Sequence, residues 1–182
     1  MLRLGLFSVV LLLLSGCENL QPFPRTQSNE EMFGPATIRI HPTFTQIRDW
    51  TGDGKPDGIE ALLEVQDQFG EPTRSSGKAI FELYAYRKIS PNVRGIRLAG
   101  PWVERLSTKE DQVAHWNSAL RGYTFQLPYE KIESRREYVL TVQFDLDGVK
   151  GGRMFDQLIL EPQQEGKHER RPRASSQTPG SR

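Results

Sequence analysis

The chain holds 182 residues, with 24 Lys and Arg against 23 Asp and Glu, three His and a formal net charge of +1. That near balance excludes the strongly basic surface of a nucleic-acid binder, and a single cysteine excludes an internal disulfide. Hydrophobic residues are 36% of the whole, part of them concentrated at the N-terminus, so the predicted core is modest but large enough for one domain.

Arg3 precedes an apolar stretch from Leu4 to Leu13 (LGLFSVVLLL). At about ten residues it falls within the roughly 7–15 of a signal-peptide core and short of the roughly 20 that a spanning helix needs. The stretch runs into Leu14-Ser15-Gly16-Cys17. An ordinary secretory cleavage site wants small residues at −3 and −1; Gly16 fits and Leu14 does not. The tetrapeptide resembles the lipobox of bacterial lipoproteins: a branched aliphatic residue, a small one, Gly or Ala, then Cys. The resemblance implies that residues 1–16 are removed, that the Cys17 sulfur carries a diacylglycerol, and that the new amino group is acylated, with palmitate as a typical chain. Each buried methylene contributes about 0.8 kcal/mol, and two or more chains make anchoring stable where one is marginal. A plain signal peptide leaving a free cysteine is the alternative. Glu18 is not the Asp of the inner-membrane retention rule, so the expected location is the cell envelope, at the outer rather than the inner membrane.

Charge and composition divide the rest. Residues 17–35 are polar and Pro-containing, without helical or alternating pattern, and are expected to form a flexible tether. Residues 36–162 carry the apolar periodicities and are expected to form the domain. Residues 163–182 (QQEGKHERRPRASSQTPGSR) contain no large apolar side chain and five basic against two acidic residues, so a disordered basic tail is expected. With Arg3 also set aside, the central region is weakly acidic. The HERRPR cluster suits anionic head groups or cell-wall polymers, and equally a solvated tail without a partner.

In chain order, Thr37 to His41 alternates and is stopped by Pro42. Ile59 to Gln66 alternates apart from Leu62, and Lys78 to Tyr86 is an aromatic-rich strand. Between them lies Asp67-Gln68-Phe69-Gly70-Glu71-Pro72. This strand, D-x-x-G-x-P turn and strand resemble hairpins of immunoglobulin-like and transthyretin-like sandwiches. Short apolar pieces, Ile96 to Leu98 and Trp102 to Leu106, flank Gly100-Pro101. A helix is predicted from Ser107 to Leu120. Ser107 is its N-cap, Glu110 closes a capping box, and Val113, Trp116 and Leu120 share one face. Tyr123 to Leu127 alternates, and Glu137 to Leu146 with Arg153 to Leu160 form a hairpin across a Gly-rich turn. The expected fold is mainly β, an antiparallel immunoglobulin-like or transthyretin-like β-sandwich with one short helix in a connection. A small β-barrel is the alternative.

One segment carries a chemical motif. From Asp49 to Glu60 (DWTGDGKPDGIE), oxygen-bearing side chains stand at loop positions 1, 3, 5, 9 and 12: Asp49, Thr51, Asp53, Asp57 and Glu60. Gly54 takes the sharp turn and the Lys55 carbonyl completes the set. Such spacing wraps a hard cation in oxygen. The loop is similar to an EF-hand loop and, with Gly-Asp-Gly-x-Pro-Asp inside it, to the calcium loops of thrombospondin type 3 repeats. That implies Ca2+ as a structural cofactor of weak, extracellular-type affinity. Thr51 lowers the ligand charge, and the same residues also suit a plain surface turn.

Catalytic constellations are sparse. His41, His115 and His168 have no second His or Cys at ligand spacing, and no P-loop, G-x-S-x-G or H-E-x-x-H motif occurs. Asp145 and Asp147 fit a metal pair or a hairpin end. Tyr84, Tyr86, Trp102, Trp116 and Tyr123 fit a sugar-stacking surface or core packing. The expected function is a non-enzymatic binding or structural module held at the bilayer, with an envelope protein or polysaccharide as partner and no nucleic acid. A carbohydrate-active or hydrolytic accessory protein, with a site built from scattered carboxylates, is the alternative.

Overall fold

Period-two alternation governs most of the strands, because each must bury one face and wet the other. The computed structural model describes residues 32–162; the expected signal peptide, Cys17, most of the expected tether and the expected basic tail lie outside them. The first sheet contains β1 (Thr37–Ile40), β2 (Gln46–Arg48), β3 (Gly58–Gln66), β6 (Trp116–Asn117) and β7 (Gly122–Pro128). Its order is β1-β3-β7-β6, with β2 also on β3. The second contains β4 (Gly77–Tyr86), β5 (Arg94–Arg105), β8 (Tyr138–Leu146) and β9 (Arg153–Leu160), in the order β5-β4-β8-β9. All pairings are antiparallel. Neither sheet closes into a barrel, and the two pack as a β-sandwich.

The core is the set of inward residues from both sheets. Ile59, Ala61, Leu63 and Val65 of β3 and Tyr123, Phe125 and Leu127 of β7 face Ala79, Phe81 and Leu83 of β4 and Leu140, Val142 and Phe144 of β8. The Phe81 and Phe125 rings meet across the interface at 5.1 Å. Leu62 breaks the alternation because it is buried on the other face of its sheet, in a recess with Phe44 and Leu120.

Several elements differ from the sequence expectation. The Asp67–Pro72 turn does not make a hairpin: β3 and β4 belong to different sheets, and the connection crosses between them. The pieces around Gly100-Pro101 are one strand, β5, which passes through a cis Gly100–Pro101 bond with register shifts against β4. Its edge position permits the proline, since no ladder donor is required on the open side. The helix α1 is shorter, Lys109–His115, and its cap lies one residue on: Thr108 and Asp111 form the capping box that was expected of Ser107 and Glu110. Val113 is 69% exposed rather than on a packed face. Trp116 leaves the helix to pair with Tyr123, the two rings 5.0 Å apart.

β1 and β2 lie end to end along one edge of β3, interrupted by residues 41–45. The buried Thr45 hydroxyl accepts the Leu62 N–H at 3.1 Å, replacing the ladder partner that the interruption removes. β1 and β9 run in the same sense at the margin between the sheets. The chain therefore enters the sandwich near the Gln66 and Gly77 end and leaves it beside Tyr138, at the other.

Candidate functional site

Asp49 to Asp57 form the connection from β2 to β3, closed at its base by the Asp57 N–H donating to the Arg48 carbonyl at 2.8 Å. Gly52 and Gly54 take φ values of 75° and 85°, which only glycine adopts without cost. Those turns aim backbone N–H groups at two carboxylates. Asp49 accepts from Gly52 at 2.6 Å and from Gly54 at 2.8 Å. Asp57 accepts from Trp50 at 2.6 Å and from Thr51 at 2.9 Å through its Oδ2. The Thr51 hydroxyl lies 3.3 Å from Asp49 Oδ1 and 3.3 Å from Asp57 Oδ1. Desolvation works to raise the Asp49 pKa, but the hydrogen bonds from Gly54, Gly52 and Thr51 outweigh it and hold the carboxyl below its ordinary range.

Of the six expected ligands, the structure thus brings together Asp49, Thr51 and Asp57. Asp53 instead accepts the Lys55 N–H at 2.8 Å. Glu60 sits inside β3 opposite Gln46, with its carboxylate 3.6 Å from Arg48. Among the described residues, no three His, Cys, Asp or Glu side chains converge to hold a metal ion. The donor chemistry is nonetheless all oxygen, as a hard cation requires.

The other sequence candidates separate. His41 lies 3.9 Å from Glu64 and against the Phe44 ring, while His115 lies 3.8 Å from Glu104 and against Phe125. Asp145 pairs with Arg153 at 2.8 Å and Lys78 at 3.4 Å. Asp147 accepts from Ser76 at 2.5 Å and Ser107 at 2.6 Å, hydroxyls that hold its carboxyl below the ordinary range. These two aspartates do not form a shared site. Among the aromatics, Tyr123 is buried and Trp102 and Trp116 pack against the core, whereas Tyr84 and Tyr86 stand on the outer face of the second sheet.

That outer face holds a feature the sequence reading did not single out: an open trough of about 660 Å³ over all four strands, lined by Ile80, Glu82, Arg94, Phe155, Asp156 and Gln157 among others. Glu82 is fixed in it by the Tyr84 hydroxyl at 2.7 Å and by Arg97 at 2.7 Å, which keep its pKa low. The available signal was the alternation of β9, which puts Phe155 on the wet face, 66% exposed.

The chain matches no family model, no curated protein and no solved structure.

Proposed function

We propose that this chain is a lipid-anchored protein of the bacterial cell envelope, its β-sandwich a non-enzymatic binding or structural module whose Asp49–Glu60 loop is stabilised by Ca2+. The observation that carries the reading is Leu14-Ser15-Gly16-Cys17 at the end of the apolar stretch, which supplies a thiol where lipid attachment needs one. Glu18 in place of Asp favours the outer membrane. Asp49 and Asp57, bridged by Thr51, are the residues to hold the cation, with Glu60 recruited away from Arg48.

Cell fractionation of the Cys17→Ser variant tests the anchor. Release to the soluble fraction and loss of palmitate labelling are expected; persistent membrane association overturns the reading. Turnover of generic ester or glycoside substrates that is lost on removing a pair of carboxylates overturns the non-enzymatic assignment.

A further inference from the structure

β1 starts opposite the last residue of β3, Thr37 against Gln66, so the segment leading into the sandwich and the Asp67–Pro72 turn share one end of it. There Phe33 and Phe69 bring their rings to 5.9 Å from one another, yet they stay 56% and 62% exposed. The turn is closed on its own carboxylate. Asp67, 8% exposed, accepts the Phe69 and Glu71 N–H groups at 2.9 and 3.0 Å through Oδ1. Its carbonyl takes the Gly70 N–H at 3.1 Å, and its own N–H donates to the Glu71 carbonyl at 3.0 Å. Lowering this tip into an apolar phase therefore leaves none of these donors without a partner. Glu71, the carboxylate beside the tip, is paired with Arg121 at 3.5 Å.

We propose that Phe33 and Phe69 dock this end of the sandwich on the bilayer, their rings entering the boundary between head groups and acyl chains. This gives the anchored module proposed above an orientation and rests on that reading. Between Cys17 and Met32 the chain reaches no farther than about 50 Å, so lipid is always close to the two rings. Tethering makes the contact intramolecular, and a shallow one then suffices. Aromatic and aliphatic side chains are the ones that enter this boundary. A second copy of the chain fits the rings less well. Together they offer roughly 250 Å², against the about 800 Å² per partner of a stable interface. Docked so, the domain stands on end: β3 runs from Gln66 beside the rings to Gly58, about 30 Å away, and holds the Asp49–Asp57 loop clear of the lipid.

The full chain, purified from bacterial membranes, is reconstituted in phosphatidylcholine vesicles whose acyl chains carry doxyl quenchers. A thiol-reactive fluorophore is placed at Gln68→Cys beside the rings, or at Lys88→Cys next to Ile89, which is 99% exposed at the other end. Both positions are exposed, and Cys17 is the chain's one cysteine. Quenching at position 68 and none at position 88 is expected. Phe33→Ser with Phe69→Ser should abolish it in a protein that stays on the vesicles and melts as before, and Phe69→Trp should keep it. Quenching at neither position, at both alike, or indifferent to the two rings overturns the proposal. Shielding of position 68 that follows protein density instead of lipid assigns the rings to a second copy and also overturns it. Unsubstituted chain that takes up the fluorophore has a free Cys17, which removes the anchored reading and the docking together. Absent quenching in a protein whose Cys17 is blocked removes the docking alone.

Discussion

Ile40 donates its backbone N–H to the Asp156 carboxylate at 2.6 Å, a bond between residues 116 positions apart in sequence. It ties β1 to β9 where the two sheets meet, so the first and last strands are held by a side chain rather than by a ladder. A hydrogen bond to a charged group of this kind contributes about 1.5–3 kcal/mol. Asp156→Ala is therefore expected to lower unfolding stability by about 1–3 kcal/mol, read as a lower urea midpoint at unchanged slope. An unchanged midpoint means that water replaces the bond without cost.

The Tyr123 hydroxyl accepts the buried Ser75 N–H at 2.9 Å and lies 2.7 Å from Gln112 Oε1. Tyr123→Phe keeps the ring and orphans that N–H, with an expected loss of about 1–3 kcal/mol. The comparison variant Gln112→Ala removes the outer partner together with the Gln112 amide's bonds to the Ser75 and Leu106 carbonyls, so a cost of similar size is expected.

Five carboxyls, Asp49, Glu82, Asp111, Asp145 and Asp147, have folded pKa values below their ordinary ones. Their contribution to stability is present above the ordinary carboxylate range and lost as pH falls through the lowered values. The melting temperature is expected to fall from about pH 5 downward, and Asp147→Asn should make that fall shallower. A profile equally steep in the variant counts against Asp147 as a contributor.

In the β2–β3 loop, adding millimolar Ca2+ is expected to raise the melting temperature of the wild type and leave Asp49→Ala unmoved, given the weak affinities of about 10⁻⁴–10⁻³ M common in extracellular modules. Equal melting of the wild type with and without Ca2+ removes the metal from the proposal. Gly54→Ala, at a φ of 85°, should destabilise by roughly 1–2 kcal/mol whether or not the cation binds.

Legibility followed the range of the forces involved. Alternation is local, so β4, β7 and the β8–β9 hairpin could be read from Lys78 to Tyr86, Tyr123 to Leu127 and Glu137 to Leu160. Sheet membership is not local: nothing in Asp67–Pro72 says that β4 leaves the sheet of β3. The end of α1 was likewise set at a distance, by Trp116 turning to meet Tyr123. In the Asp49–Glu60 segment, the spacing of oxygen-bearing residues was visible but not their aim. Backbone N–H groups of the same loop claim Asp49 and Asp57, and Arg48 claims Glu60. The trough escaped notice because it is assembled across strands, from residues that are unremarkable within each one.

The common direction of β1 and β9, with entry at one end and exit at the other, has a mechanical consequence. Tension applied between the two ends loads the β1–β3 and β8–β9 ladders in shear. Many hydrogen bonds must then yield together, whereas a peeling load breaks them one after another. A sandwich strung in this way resists tension between its two ends more stiffly than one whose terminal strands are peeled from the same end.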